Sequence, residues 1–293
     1  MNDDLLVDKR RMRRAFDRAA DDYDAAAVLQ HEVCRRMLGR LDYIKHEPAL
    51  IVDAGCGTGN ALSGLRGRYR KAEIVALDIA PAMLHRARVR LPRRLLPFGA
   101  AAAHAVCGDI EQLPLKNAAA GMVWSSLALQ WVNDAQTAFA EIARVLAPGG
   151  LLMFSTLGPD TLKELRTAYA AADAHRHVNR FIDMHDLGDM LLAAGFADPV
   201  MDMEYVTLTY ADVRALMHDL KAIGARNALH GRPPGLSGKA ALAAVARGYE
   251  PLRRDGRLPA TFEVVYGHAW MSQRRHRADD LQPIHLHFDR RAT

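Results

Sequence analysis

One stretch, Val52-Asp53-Ala54-Gly55-Cys56-Gly57-Thr58-Gly59, has the residue types of a turn that holds a ligand against bare backbone. Glycines permit the tight backbone angles of such a turn and allow a ligand to approach closely. A phosphate-binding P-loop is excluded because Asn60-Ala61 stands where Gly-Lys-Ser/Thr is required, and Asn60 also occupies the last glycine position of the dinucleotide pattern G-x-G-x-x-G. The spacing is instead G-x-G-x-G, with Asp53 two residues before Gly55.

Two further acids follow short apolar runs downstream of this turn. Asp78 closes the run EIVALD, and Asp109 closes HAVCGD. A carboxylate at the end of the second strand can accept both ribose hydroxyls of an adenosine-containing ligand, as it does in dinucleotide sites. Asp78 alone therefore does not separate a dinucleotide from another adenosine ligand.

The segments around these residues predict a parallel sheet. Short apolar runs alternate with helix-like stretches near 60–69, 81–91 and 134–146, and the runs are 49–55, 73–78, 104–109, 120–126 and 150–156. Strands of four to eight residues that alternate with helices indicate a doubly wound α/β sheet, whose ligand crevice lies at the carboxyl ends of the strands.

The flanking segments predict the domain organisation. Residues 1–47 are expected to form an N-terminal helical cap, which Pro48 ends. Residues 48–272 form the main domain, with lid insertions near 158–183 and 225–255, helices near 184–194, 211–223 and 238–250, and strands at 201–210 and 261–270. Residues 273–293 are expected to be a loosely ordered tail.

The glycine turn and its acids resemble motif I of the class I S-adenosylmethionine-dependent methyltransferases. The resemblance implies a seven-stranded Rossmann-like sheet, with the turn at Pro148-Gly149-Gly150 before the fifth strand. It implies that Asp78 binds ribose, that Asp109 accepts from the adenine amino group and that Asp53 lies near the methionyl ammonium. The full set of cofactor-binding residues that it implies is Asp53, Gly55, Gly57, Gly59, Asp78, Ile79, Asp109, Ile110, Ser125 and Gln130.

Segments outside the core are similar to the BioC group, which methylates the free carboxyl of malonyl-acyl carrier protein at the start of pimeloyl and biotin synthesis. They span nearly the whole chain: Phe16-Asp17-Arg18-Ala19-Ala20, Tyr23-Asp24, Leu29-Gln30, Leu127-Ala128-Leu129-Gln130-Trp131, Phe154-Ser155-Thr156-Leu157-Gly158, His177-Val178-Asn179-Arg180-Phe181, Leu220-Lys221-Ala222-Ile223-Gly224-Ala225 and Thr261-Phe262-Glu263-Val264-Val265-Tyr266. Some of these motifs are shared with relatives that act in respiratory-complex assembly.

A carboxylate substrate suggests roles for two further residues. It is ionised at pH 7 and needs no general base, but it needs a cationic anchor, for which arginine is well suited. Arg180 is the first candidate, with His177 and His185 nearby. The family's N-terminal tyrosine supports Tyr23 as a lid residue over the reacting groups. Gln130 and Trp131 are expected to border the cofactor pocket.

Three alternatives stay open at this point. The chain could methylate another carboxylate or a quinol, it could bind S-adenosylmethionine as an assembly factor or hydroxylase without methyl transfer, or it could be a dinucleotide oxidoreductase. The proposed substrate implies an acidic acyl carrier protein as partner, for which the arginine-rich clusters would provide an electrostatic attraction.

Composition limits the class of protein. The chain has 293 residues, half of them apolar and a quarter charged, which argues against disorder. It carries 39 Lys and Arg against 34 Asp and Glu, without the aromatic interleaving typical of binding to single-stranded nucleic acid. We expect no metal site, nucleic-acid partner or membrane association. Three sparse cysteines and the lack of a signal-like N-terminus predict a reducing cytoplasm.

Overall fold

The computed structural model describes residues 6–91, 102–171, 175, 177–230 and 239–273. In chain order the elements are α1 (Lys9–Ala19), α2 (Tyr23–Ala26), α3 (Val28–Arg40), β1 (Leu50–Ala54), α4 (Leu62–Arg68), β2 (Glu73–Asp78), α5 (Pro81–Arg90), β3 (Ala103–Cys107), β4 (Ala120–Ser126), α6 (Ala135–Val145), β5 (Leu146–Leu157), α7 (Lys163–Ala170), α8 (Met184–Ala193), β6 (Phe196–Tyr210), α9 (Val213–Ala222), α10 (Lys239–Tyr249) and β7 (Leu258–Met271), with short 3-10 turns at Leu41–Tyr43, Leu129–Trp131 and Glu250–Leu252.

The strands form one seven-stranded sheet in the order β3-β2-β1-β4-β5-β7-β6. The first five strands run parallel to one another, whereas β7 runs antiparallel to both β5 and β6. This arrangement confirms the seven-stranded α/β fold that the sequence predicts. The strand order reverses between β1 and β4, and the carboxyl ends of these strands are where a doubly wound sheet places its ligand.

Alternating residues of the central strands bury both faces of the sheet. In β1, Ile51 packs in the core on one face and Val52 in the core on the other, and both are fully buried. Val123 of β4 lies on the same side as Val52, and Trp124 on the same side as Ile51. Helices therefore cover both faces, as the apolar runs predict for a parallel sheet.

The N-terminal segment lies against the carboxyl edge of the sheet. Helix α1 starts after Asp8, whose side chain accepts from the backbone N–H of Arg11, and it buries Met12, Ala15 and Ala19. Its inner side packs with the loop after α9, since Val7 pairs with Leu229 in an isolated β-bridge. Helices α1 and α2 thus form a cap over this edge. We refer to residues 7–26 as the cap.

The structure differs from the sequence-based expectation at several element ends. Strand β3 ends at Cys107, so Asp109 lies two residues beyond it, and β5 begins at Leu146, before the Pro148-Gly149-Gly150 turn. Strand β6 spans 15 residues because it pairs with β7 over almost its whole length. The segment 158–183 contains α7, and 225–255 contains α10. The predicted tail lies outside the described residues beyond 273.

Two observations bear on expected properties of the chain. Cys34, Cys56 and Cys107 are free thiols. Within the described residues, no helix combines the length and apolar character that crossing a bilayer requires.

A matched pair of leucine substitutions tests the assignment of the core. Leu65→Ala removes a fully buried side chain of α4 and should lower the free energy of unfolding by about 2–5 kcal/mol, because it leaves a cavity between helix and sheet. Leu192→Ala, at a position of α8 that is 54% exposed, should cost about 1 kcal/mol or less. Urea denaturation measures both, and equal losses would contradict the assignment.

Candidate functional site

A cavity of about 540 Å³ opens at the carboxyl ends of the parallel strands. This volume is within the range typical of sites for small molecules. Its floor includes Asp53 at the end of β1, Asp78 at the end of β2 and Trp124 on β4. The cap covers one side through Met12, Phe16 and Tyr23, and segments 177–181 and 217–227 cover another. Elements that are distant in sequence therefore enclose one space.

The glycine turn after β1 has the geometry that its sequence predicts. Gly55, Gly57 and Gly59 all have positive φ, at 81°, 54° and 87°. A Cβ on Gly55 would lie 2.2 Å from the Cβ of Ala128, whereas a Cβ on Gly57 would meet nothing within 4 Å. Gly59 does not line the cavity; it lies against Ala87 of α5, which a Cβ would approach to 3.2 Å. Gly55 and Gly57 face the cavity, and Gly59 permits close helix packing.

Asp78 is held by backbone donors from two directions. Its Oδ2 accepts from the N–H of Gly57 at 2.9 Å, and its Oδ1 accepts from the N–H of Ala80 at 2.8 Å. Burial raises the pKa of this carboxyl to about 6, although the two N–H donors act in the opposite direction. The neighbouring Ile79 also lines the cavity and packs near Phe16 and Trp131. Asp78 is thus a preoriented acceptor at the end of β2.

Asp53 is the most strongly perturbed acid of the site. Its side chain is buried, and its Oδ2 has no hydrogen-bond partner among the described residues. Burial, with a smaller effect from the charge of Asp78, raises the pKa of Asp53 to about 8. A buried carboxyl without a partner is costly to ionise unless a cation approaches it. The arrangement therefore favours a ligand that carries positive charge next to Asp53.

Two more buried polar atoms of the cavity lining lack a partner within the described part of the chain. They are the amide oxygen Oε1 of Gln30 and the indole Nε1 of Trp124. Gln30 lies one helical turn before Cys34 on α3. Burial, and then the charge of the nearby Asp53, raise the pKa of the Cys34 thiol. Because buried polar groups in native proteins are normally hydrogen-bonded, these atoms mark where a polar ligand would complete the site.

The third predicted acid, Asp109, is engaged by the cap. Lys9 of α1 forms ion pairs with Asp109 and Glu111. Asp109 also accepts, through Oδ1, from the N–H of Glu111 at 3.0 Å. Although partial burial opposes it, these bonds raise the pKa of Lys9. Next to Asp109, the buried Ile110 presents an apolar side chain to the cavity.

A second contact joins the cap to the glycine turn. Asp24 accepts from the hydroxyl of Thr58 at 2.6 Å and also pairs with the guanidinium of Arg90 on α5. The preceding Tyr23 lines the cavity. Burial, and then the charges of Asp78 and Asp24, raise the pKa of the Tyr23 phenol well above its ordinary value. Tyr23 therefore stays protonated and is a hydrogen-bond donor at neutral pH.

Gln130 and Ser125 occupy different places after β4. Gln130 lines the cavity, and its Nε2 donates to the carbonyl of Leu127 at 2.6 Å. Ser125 is fully buried, donates to the carbonyl of Ala54 at 2.9 Å and does not line the cavity. The adjacent Ser126 does so instead, because successive residues of a strand point to opposite faces. A cofactor-binding role for Ser125 stays a prediction that its position does not favour.

Arg180, the predicted cationic anchor for the substrate, also lies outside the cavity lining. Arg180 is exposed and is not part of the cavity lining, although Asn179 and Phe181 on either side of it are. His177 lines the cavity and stacks on Tyr169, with 3.7 Å between ring centroids, whereas His185 is exposed and lies 2.9 Å from Asp183. The structure therefore brings His177 to the cavity, whereas Arg180 and His185 lie outside its lining.

Sequence reasoning missed several residues of the site. Lys9, Gln30, Thr58, Trp124 and Arg226 line the cavity but are absent from the predicted set. For Gln30 the motif Leu29-Gln30 was available as a signal. No such signal was available for Lys9 and Arg226. The sequence does not show whether a base on a surface helix or loop faces solvent or faces a cavity formed by residues that are 100 or more positions away in the chain.

One wall of the cavity is apolar. It is formed by side chains of α7, α9, β7 and the residues next to these helices, namely Leu162, Leu165, Tyr169, Met217, Leu220, Ile223 and Phe262. Such a wall suits a flexible, weakly polar chain that enters from the opening, and it excludes water from the polar floor.

Comparisons with known proteins agree with this geometry. Residues 52–154 match the family described as a methyltransferase domain. The chain is 55% identical to the malonyl-[acyl-carrier protein] O-methyltransferase of Gallionella capsiferriformans, over 97% of this chain and 98% of that one. It is 57% identical to the protein of the same name from Methylovorus sp., over 96% of each chain.

Solved structures share the fold at low sequence identity. The YcgJ protein of Bacillus subtilis aligns with a TM-score of 0.58 at 14% identity, over 83% of this chain and 99% of that chain. The phosphoethanolamine N-methyltransferase 2 of Haemonchus contortus, solved with S-adenosylhomocysteine, aligns with a TM-score of 0.53 at 14% identity, over 88% of this chain and 58% of that chain.

Two substitutions in the glycine turn test its geometry. Gly57→Ala should cost about 1–2 kcal/mol of unfolding free energy, because φ is positive but the space is open. Gly55→Ala should cost about 1–3 kcal/mol more, because its Cβ would also overlap that of Ala128. Chemical denaturation compares the two variants. A Gly55→Ala protein as stable as Gly57→Ala would contradict the close approach of residue 55 to Ala128.

Proposed function

The chain belongs to the malonyl-[acyl-carrier protein] O-methyltransferase family, and we propose that it transfers the methyl group of S-adenosylmethionine to the free carboxylate of a malonyl thioester. The thioester would be carried by an acyl carrier protein or by coenzyme A. The observation that carries this proposal is the identity of 55–57% to relatives of that name over nearly the full length of both chains. The resemblance stated from the sequence is thereby confirmed at the level of the family.

The residues of the site fit S-adenosylmethionine. Asp78, preoriented by two N–H donors, would accept hydrogen bonds from the ribose hydroxyls. Asp109 would accept from the adenine amino group, and Ile110 would pack against the adenine ring. The unpartnered oxygens of Asp53 and Gln30 would accept from the methionyl ammonium. When bound, S-adenosylmethionine supplies a methyl group that is already activated on a cationic sulfur. The sulfur leaves as a neutral thioether.

The substrate carboxylate places few chemical demands on the chain. With a reference pKa near ~4, it is ionised at pH 7 and needs no general base. The protonated phenol of Tyr23 suits this reaction, since it can donate a hydrogen bond to the ionised carboxylate. What the chain must supply is orientation and exclusion of water, for which the cap and the apolar wall provide the structure.

We further propose Arg180 as an electrostatic anchor for the substrate. It lies between two residues of the cavity lining and is exposed, so it would act on the carboxylate or its carrier from the opening. The resulting methyl ester would enter pimeloyl and biotin synthesis. The names of the relatives do not favour an assembly factor, a hydroxylase or a quinol methyltransferase.

A transfer assay with paired thioesters tests the reaction. With radiolabelled S-adenosylmethionine, the chain should label malonyl-acyl carrier protein but not acetyl-acyl carrier protein, because the acetyl group lacks a free carboxylate. The label should be released by mild base, as expected for a methyl ester. Equal labelling of both carrier proteins would place the methyl group elsewhere and reject the proposal.

The raised pKa of Asp53 predicts how cofactor affinity depends on pH. In the ligand-free protein this carboxyl is mostly neutral below pH 8, so binding of the cationic ammonium must release its proton. The affinity for S-adenosylhomocysteine, measured by calorimetry, should therefore rise by about tenfold from pH 6 to pH 7. In Asp53→Asn the affinity should rise less over the same pH interval, because only the proton of Asp78, whose pKa is about 6, is then displaced.

The same raised pKa fixes the sign of a stability effect. Asp53 keeps its proton to a higher pH in the folded protein than in the unfolded chain. The free energy of unfolding of the ligand-free protein should therefore fall as the pH rises from about 4 to about 8. Asp53→Asn should remove part of this fall while it weakens cofactor binding. Affinity that is unchanged between pH 6 and pH 7 in the unmodified protein would show that the Asp53 proton is not displaced.

A further inference from the structure

A group of exposed bases lies on the cap and at the cavity opening. We propose that this group, defined as the opening surface and consisting of Arg11, Arg14, Arg18, Lys221 and Arg226, is where the acidic acyl carrier protein docks. The inference rests on the proposed function and deepens it, because the relatives' names give a carrier protein but no surface for it. The occupant is a protein whose charge is predominantly negative, carrying its thioester on a long flexible arm.

Three of the five arginines of α1, namely Arg11, Arg14 and Arg18, form one stripe along the outer side of the cap. Their spacing of i, i+3 and i+7 places them on a common helix face, away from the buried Met12. All three are exposed. Arg14 and Arg18 make no ion pair or side-chain hydrogen bond within the described residues, and Arg11 has only Asp8 at 3.9 Å. Their charge is thus available to a partner.

The other two bases connect this stripe to the cavity. Lys221 and Arg226 are exposed and also belong to the cavity lining, so they lie at its opening. The loop that carries Arg226 runs along α1: a Cβ on Gly224 would lie 2.9 Å from the ring of Phe16, and the carbonyl of Ala228 accepts from the N–H of Asp8 at 2.8 Å. These contacts lie on the side of α1 that carries Phe16, and the stripe lies on the other side of a helix that is about 10–12 Å across. A partner with an ordinary interface of about 800 Å² can therefore contact both the stripe and the bases at the opening.

Other basic clusters of the chain are partly compensated by internal partners. Arg86 pairs with Asp21 and Arg90 with Asp24. Arg253 forms two bonds to Glu250, whereas Arg257 donates to the neutral Thr209 and keeps its charge. The clusters that include Arg93, Arg94 and 274–277 fall outside the described residues. The opening surface includes two bases that line the cavity, Lys221 and Arg226, whereas none of these four arginines does.

Geometry also favours this location for a carrier protein. The thioester must reach the floor of the cavity through its opening, so the body of the carrier must rest beside that opening. Charge pairs at the rim of such a contact mainly raise the association rate and are screened by salt. We therefore expect the opening surface to act on kcat/KM for the carrier-bound substrate and not on the chemistry in the cavity.

A matched pair of charge reversals tests the proposal. The test variant is Arg14→Glu with Arg18→Glu; neither residue lines the cavity. The control is Arg70→Glu with Lys71→Glu, which changes the net charge equally at an exposed site just before β2, at the amino edge of the sheet. Each protein is assayed with malonyl-acyl carrier protein and with malonyl-N-acetylcysteamine, a small thioester without a protein body.

The test variant should lose about tenfold in kcat/KM with the carrier protein, change less than about twofold with the small thioester and show a weaker salt dependence. The control should change less than about twofold with both substrates. Equal losses in the two variants would mean a general charge effect, and no loss in the test variant would mean that the carrier docks elsewhere; either result overturns the proposal. If the unmodified protein methylates neither thioester, the proposed function itself fails, which is a distinct outcome.

Discussion

The buried carboxyl pair at the carboxyl ends of β1 and β2 is the interaction on which the site depends. Asp53 and Asp78 lie in a region that disfavours negative charge, and burial raises the pKa of both. Asp78 is compensated by the N–H groups of Gly57 and Ala80, whereas an oxygen of Asp53 has no partner in the described structure. The protein thus maintains a site that a cationic ligand would complete, at the expense of its own stability near neutral pH.

The glycine turn and the cap follow from this constraint. Gly57 must have positive φ to direct its N–H toward Asp78, and Gly55 must lack a side chain because Ala128 occupies the space. The cap then closes the cavity through polar contacts to the same edge of the sheet: Lys9 to Asp109, and Asp24 to Thr58. These contacts connect closure of the cap to the residues expected to hold the cofactor. Water exclusion and cofactor binding therefore depend on the same part of the structure.

Most of the fold could be predicted because its signals are local. The run 73–78 became β2 with the same bounds, and 120–126 became β4. Where bounds were wrong, a long-range partner decided them: β6 extends to 15 residues because β7 pairs along it. The acids of the candidate site were predictable where spacing forces them to strand ends, as for Asp53 and Asp78. Ser125 shows the limit, since one step along a strand decides which face a side chain takes.

The sequence by itself determined the α/β fold, the glycine turn, the acids at the strand ends and the family. Each of these depends on residue type and on spacing within a few tens of residues, which the chain displays directly. Only the tertiary structure decided that Lys9 engages Asp109, that Gln30 and Trp124 have unpartnered atoms at the cavity, and that Arg226 and not Arg180 is part of its lining. These contacts join elements far apart in sequence, and their geometry arises from packing of the whole chain.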